Sequence, residues 1–352
     1  MTALYILIAI LIFGVLIAVH ELGHFITAKA CGVKVEEFAI GMGPAIIKKQ
    51  RGETLYSLRC IPMGGFCAMA GEDEESEDPR AFTSQPTWKR IIILVAGALM
   101  NFLFGLLVVL LLNANVVAFH APVLEGFMEG CPYEGTDAFQ VGDRFYSIDG
   151  KRIYLYNDVQ DFLGQGDGVY DIVVKRGGEK VRLDDFTLVR VEYEGQENKM
   201  YGFYFGYDEA TPGVKLRQSW NTCMEFGRWV WMGLRQLVSG QVGMKDMAGP
   251  VGIVELMAET GQQSASVRDA IYNIFYLGAF IAVNLALMNL LPIPALDGGR
   301  VFCLIITWII ERVSHKKLNP KYEGYIHAAG MVLLLGLMAL VMLNDIVRIV
   351  TR

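Results

Sequence analysis

Five residues near the N-terminus are spaced to do chemistry: His20, Glu21, Leu22, Gly23 and His24, an HExxH sequence. On a helix, positions i and i+4 share a face, so both imidazoles can reach one metal ion. Glu21 follows the first histidine and can reach a water on that metal. Zinc lowers the pKa of such a water toward neutrality, and a carboxylate then takes its proton. The chain holds only 5 histidines, which makes the motif improbable as an accident of composition. The competing reading is a pair of histidines snorkelling at a helix end. It is the weaker one, because ionisable groups within a spanning segment are costly and usually functional.

A catalytic zinc takes three protein ligands and keeps one position open. In soluble zinc proteases the HExxH helix is amphipathic. Here it continues residues 2–19, TALYILIAILIFGVLIAV, which carry no charge. The site therefore belongs near or inside a bilayer, with its third ligand on another membrane element. Asp297, Glu311, His327 and Asp345 are the candidates. Asp297 is favoured. It lies in NLLPIPALDGGR (289–300), where two prolines break a helix and two glycines follow. A broken helix in a membrane is tolerated where it lines a buried or wet cavity. Taken alone, Asp297 reads equally well as the cap of a helix starting near Gly298. Asn101 is the one strongly polar residue in the apolar run 91–112, and Asn284 and Asn289 recur in a later run. Amides at such depth either join helices or line a site.

The elements that must hold these residues are membrane elements. Of 352 residues, 53% are hydrophobic and 19% charged, against about 25% charged in soluble domains. The net charge of −6 has the wrong sign for a nucleic-acid partner. Six cysteines without a CxxC indicate neither a zinc ribbon nor a disulfide framework. Residues 2–19 read as a first span and not a signal peptide, which needs a basic start and a small-residue cleavage site. Further spans are expected over 91–112, about 271–291 and about 326–343. The stretch 301–310 is too short to cross alone and should continue the third element past the break at Pro292 and Pro294. Segment 29–90 carries nine Lys and Arg and segment 300–321 carries five, including Lys316 and Lys317, whereas residues 1–28 have none. The positive-inside rule places those two segments in the cytoplasm and 114–270 outside. Cys31, Cys60 and Cys67 should then be cytoplasmic and Cys131 external.

Residues 33–69 alternate like strands and are punctuated by glycine and proline, which suggests two hairpins at the membrane face. Residues 71–79 form an acidic, solvated loop. Segment 115–213 has 9 basic and 18 acidic residues, a net of −9 in one stretch. It reads as β-rich, with turns at Asp149-Gly150 and Gly177-Gly178 and a short helix over 157–163. Residues 219–238 hold Trp220, Trp229 and Trp231 and suit a helix lying at the interface.

In these motifs the chain resembles the bacterial site-2 proteases, zinc-dependent intramembrane metalloproteases. The resemblance rests on HELGH (20–24), GVKVEEFAIGMGP (32–44), PMGGFCAMAGE (62–72), AGALMNF (96–102) and NLLPIPALDGGR (289–300). It covers nearly the whole chain in order. It implies His20, His24 and Asp297 as zinc ligands and Glu21 as the catalytic acid/base. It implies that Asn101 helps stabilise the reaction centre, and that Asn284 and Asn289 help hold an unwound substrate. Where the family has Gly-Pro, this chain has Gly97-Ala98. Residues 130–153 resemble a PDZ domain of the permuted bacterial type, and 115–213 has room for one.

The expected fold is an α-helical polytopic membrane protein with four transmembrane helices, membrane-associated β-hairpins and one extracytoplasmic PDZ-like domain. The expected divisions are 1–30 with HExxH, 31–88 as cytoplasmic β-hairpins and loop, 89–114 as the second span, and 115–213 as the PDZ domain. After these come 214–269 as interfacial helix and linker, 270–313 as the third span with LDGG, and 314–352 as cytoplasmic loop and fourth span. The expected activity is zinc-dependent hydrolysis within transmembrane segments of single-span proteins in the cell membrane. Anti-sigma factors and remnant signal peptides are the substrate types the resemblance implies. Two rival readings are a non-catalytic PDZ scaffold with a relic metal site and a metal transporter. An intact Glu21 argues against the first. The second wants polar ligands across the whole bilayer, whereas here they gather toward one side.

Overall fold

A computed structural model of the chain describes residues 2–72, 76–195, 198–241, 243, 248–314 and 321–351. Residues 73–75 of the acidic loop, and Lys316 and Lys317, lie outside these. In order come α1 (Thr2–Ala30), β1 (Val35–Arg51), β2 (Thr54–Met69), α2 (Thr87–Leu112), β3 (Ala118–Phe127), β4 (Arg144–Ile148), β5 (Lys151–Arg152) and α3 (Tyr156–Gln165). There follow β6 (Val169–Arg176), β7 (Glu179–Thr187), β8 (Phe203–Glu209), α4 (Pro212–Val238), α5 (Pro250–Gln263), α6 (Val267–Asn289), α7 (Asp297–Ser314) and α8 (Lys321–Thr351). They fall into two compact units, Met1–Leu112 with Cys223–Arg352, and Asn113–Thr222.

The first unit contains four helical stretches long and apolar enough to cross a membrane: Ala3–Ala30, Thr87–Leu112, Val267–Asn289 and Gly324–Arg348. The protein is a polytopic membrane protein. Leu4, Leu7, Leu11 and Val15 of α1 face outward, as suits side chains meeting lipid and not a polar solvent. Tyr5, Ala9 and Leu16 turn inward and pack with Met257, Ile274 and Ile281. Small residues allow close crossings, since bilayer helices associate by packing and not by hydrophobic exclusion. A Cβ placed on Gly105 of α2 would lie 3.0 Å from Val283 Cγ2 and 3.1 Å from the Ala279 carbonyl of α6.

The segment 33–69, expected to hold two hairpins, forms one sheet of two long, bent strands that pair with each other twice. Gly41, Gly43 and Gly64 take φ of 89°, 81° and 99°, a region open to glycine. Each strand therefore bends where the sequence suggested it would end. Glu37, Phe38, Ala39 and Ile40 pair with Ala68, Cys67, Phe66 and Gly65 on one side and with Leu55, Tyr56, Ser57 and Leu58 on the other. Burial raises the Glu37 carboxyl pKa, but hydrogen bonds from the Ser57 hydroxyl and Arg59 outweigh it and hold the group below its usual value.

The expected linker before α6 holds a helix, α5. Pro250 occupies its first turn, where the missing N–H costs nothing. Its free N-terminal donors are met from a distance: Asp345 of α8, fully buried, accepts from Gly249 N at 3.0 Å and Gly252 N at 2.9 Å.

In the second unit the strand order is β7-β6-β4-β3-β8, with β5 paired to β4. Asp149 and Gly150 turn with φ of 48° and 73°, and Gly177 and Gly178 with 57° and 95°, the paired positive values a tight hairpin needs. Phe139, Phe145, Ile148, Tyr170, Ile172 and Val174 form the core. Asp143 is fully buried beside it, held by Arg176 Nε at 2.9 Å, Arg176 Nη2 at 2.8 Å and Gln140 N at 2.9 Å.

Candidate metal centre

Because α1 runs unbroken through the HExxH residues, His20 and His24 share a face. Their rings meet edge to face, with centroids 4.7 Å apart, and their Nε2 atoms are 3.1 Å apart. Asp297 Oδ2 stands 3.1 Å from His20 Nε2 and 3.4 Å from His24 Nε2. Tetrahedral zinc, with bonds of about 2.0–2.1 Å, spaces its donors by roughly 3.3 Å. Asp297 Oδ2 is buried and accepts no hydrogen bond of proper geometry among the described residues. A buried anionic oxygen aimed at two imidazole nitrogens fits a cation, and two nitrogens with one oxygen is a zinc donor set.

The second nitrogen of each ring is also placed. His24 Nδ1–H donates to the Ile93 carbonyl of α2 at 2.8 Å, which leaves Nε2 with its lone pair toward the centre. The Asn289 amide stands 3.5 Å from His20 Nδ1. Room for the rings comes from two glycines. A Cβ on Gly97 would fall 2.7 Å from His24 Cε1 and 2.8 Å from His20 Cε1, and one on Gly23 would fall 2.8 Å from the Ala96 carbonyl carbon. So α1 and α2 cross backbone to backbone behind the histidines.

Asp297 arrives at the first turn of α7. The chain leaves α6 at Asn289 and turns with Ile293 N–H donating to Leu291 O at 2.7 Å and Leu296 N–H to Ile293 O at 3.2 Å. Ala295 takes φ of 78°. Gly298 and Gly299 let the helix start directly on that turn. A Cβ on Gly299 would lie 3.1 Å from Pro294 Cα, and one on Gly298 would strike the Leu290 and Leu291 carbonyls.

A cavity of about 320 Å³ opens beside the three donors, lined by Glu21, by Phe66 to Met69 of β2, and by Glu72 and Leu94. Gly65 brings β2 close: its Cβ position is 3.5 Å from Glu21 Cγ. Arg300 of α7 forms an ion pair with Glu72 at this wall. Burial, and then the nearby Glu21 and Glu72 carboxylates, push the Cys67 thiol up to about 12. Cys67 is not among the residues whose donor atoms converge on the centre.

Among the described residues, His20, His24 and Asp297 are the group placed to share a metal. The other candidates for third ligand stand elsewhere. Asp345 caps α5, and His327 Nδ1 accepts from the Ala295 N–H at 3.3 Å. Glu311 lies on α7 beyond the cavity lining. Asn101 is buried one turn past Gly97, its Oδ1 without a hydrogen-bond partner among the described residues. Asn284, half-buried on α6, does not line the cavity. Sequence reasoning gave no packing role to Gly23 or Gly97 and did not find Ile93 or the Glu72–Arg300 pair. The two glycines were legible as small residues in apolar helices, but nothing local says what they approach.

Residues 8–337 match peptidase family M50. A protein of Clostridium perfringens named as a zinc metalloprotease is 35% identical, covering 98% of this chain and 99% of its own. One of Synechocystis, named likewise, is 31% identical over 98% and 95%. The regulator of sigma-W protease RasP of Bacillus subtilis is 28% identical over 97% of each chain. With the match spanning the HExxH helix, the cavity and the Asp297 turn alike, the chain belongs to peptidase family M50, the site-2-type metalloendopeptidases.

Proposed function

We propose that this protein is an intramembrane zinc protease that cleaves the transmembrane segments of single-span membrane proteins. One observation carries the reading: His20 Nε2, His24 Nε2 and Asp297 Oδ2 lie 3.1–3.4 Å apart beside a cavity that Glu21 also lines. His20, His24 and Asp297 hold the zinc, which when bound supplies the Lewis acidity that activates water and polarises a peptide carbonyl. Glu21 takes the proton of the attacking water on its carboxylate and passes it to the departing amide nitrogen. A helical peptide bond is hydrogen-bonded and shielded, so the substrate must unwind first. Residues 66–69 of β2, which pair with β1 on one side and line the cavity, offer an edge to which an extended segment can add as a strand. Asn101 hydrogen-bonds the developing oxyanion, and Asn289, 3.5 Å from His20 Nδ1, helps hold the unwound chain.

The second unit is read as a single PDZ-type domain outside the cell, with the active site toward the cytoplasm. The Lys and Arg asymmetry supports that orientation. The segment 219–238 lies at the interface, with Trp220 and Trp231 turned outward. The substrates are membrane-anchored regulators such as anti-sigma factors, or remnant signal peptides. The likeness to a sigma-W regulator protease supports the former. The test is cleavage of a single-span substrate by detergent-purified protein, with Glu21→Gln as control. Cleavage abolished by chelation and by Glu21→Gln is expected. Equal cleavage by the two proteins would refute the mechanism.

A further inference from the structure

We infer that His327 and Gly330 of α8 clamp the Pro294–Ala295 backbone in the turn that aims Asp297 at the two histidines. The inference rests on the metal-ligand reading of Asp297 and extends it to a helix that carries no ligand. Ala295 holds φ of 78°, a left-handed conformation that an L-residue with a side chain keeps only when its surroundings enforce it. Two contacts from α8 supply the enforcement. The Ala295 N–H donates to His327 Nδ1 at 3.3 Å, which requires His327 to be neutral with its proton on Nε2. One turn further along α8, Gly330 lies against Pro294. A Cβ there would stand 2.9 Å from the Pro294 carbonyl carbon and 3.0 Å from its oxygen. From the other side Gly299 closes on Pro294 Cα. Two residues on, Asp297 must reach both imidazoles, and metal ligands tolerate errors of only about 0.2 Å. The rest of α8 is little buried, apart from its far end, where Asp345 caps α5. Its contact at 294–295 is therefore a positioning contact, and His327 and Gly330 are positioning residues.

The test exploits the cause. In full-length protein in detergent, His327→Ala removes the acceptor, and zinc affinity is read by competition with a chromophoric chelator. Loss of a group that orients a ligand costs about 10- to 100-fold in metal affinity, and that is the loss expected. The double variant His327→Ala with Ala295→Gly should regain most of it, because glycine takes this φ without help. A zinc affinity of His327→Ala equal to wild type overturns the inference. So does a double variant no better than the single one, which would mark His327 as a ligand or a general packing residue. If His327→Ala does not fold, a folded double variant supports the clamp and an unfolded one overturns it. Asp297→Asn is measured alongside. Unchanged affinity there removes the ligand reading itself, whereas loss there with no effect of His327→Ala removes only the clamp.

Discussion

Gly97→Ala tests whether the histidines depend on a backbone-to-backbone crossing. The added methyl would sit 2.7 Å from His24 Cε1 and 2.8 Å from His20 Cε1, where ordinary contact begins at 3.4 Å. One of two things must move by at least about 0.7 Å, since the methyl would lie closer still to His24 Nε2. If the rings move, they leave the tolerance of about 0.2 Å for a metal ligand. If the helices part, the Gly23–Ala96 contact and the His24–Ile93 hydrogen bond are lost. Overpacking of this kind costs about 1–3 kcal/mol, equivalent to a factor of about 5–150 in an equilibrium constant. That cost should appear in zinc affinity, because the strained atoms are the ligand rings. Gly105→Ala is the control. It sits on the same helix, and its Cβ would crowd Val283 and Ala279 at 3.0 and 3.1 Å, away from the ligands. Both variants should lose thermal stability in detergent, but only Gly97→Ala should lose zinc to a competing chelator. Zinc affinity within twofold of wild type for Gly97→Ala, or an equal loss in Gly105→Ala, would refute the account of how α2 shapes the site.

Glu21→Gln should retain close to stoichiometric zinc and lose cleavage by orders of magnitude, while Asp297→Asn should lose zinc after mild chelation, read by elemental analysis. For topology, Cys131 is buried and Cys67 is both buried and held as a thiol, so neither reports exposure. An impermeant thiol reagent on intact cells should instead label Val141→Cys, which is 64% exposed, and spare Cys60; the opposite pattern inverts the orientation. Arg176→Met leaves the buried Asp143 carboxylate without its counter-ion and should destabilise the second unit by about 3 kcal/mol, the low end for a broken buried pair because Arg176 is partly exposed; unchanged amide exchange in β4 and β6 would count against it. Replacing 115–213 by a flexible linker should preserve cleavage of a short substrate and relax rejection of one with a bulky folded ectodomain; a folded, zinc-loaded deletion that cleaves nothing would end the filter idea.

Local geometry made much of this protein legible from its residues alone. The pairing of His20 with His24 follows from helical periodicity, which local backbone dihedrals and i→i−4 hydrogen bonds set. The four apolar runs announce themselves by length, and the break between α6 and α7 follows from Pro292 and Pro294. The turns at Asp149-Gly150 and Gly177-Gly178 need nothing beyond their own φ preferences. What only the tertiary structure decided involves residues far apart in sequence. The broken-helix setting favoured Asp297 over Glu311, His327 and Asp345 in the sequence, but its approach to the histidines is a matter of packing. Packing of α7 on the 290–294 turn brings Asp297 to the histidines, while packing of α8 sends His327 to Ala295 and Asp345 to the start of α5. The bends of β1 and β2 were hidden because glycine and proline end strands as readily as they bend them. Gly97 was hidden because a missing side chain has no signature until the atoms that fill its place are known, and here they are the imidazoles of another helix.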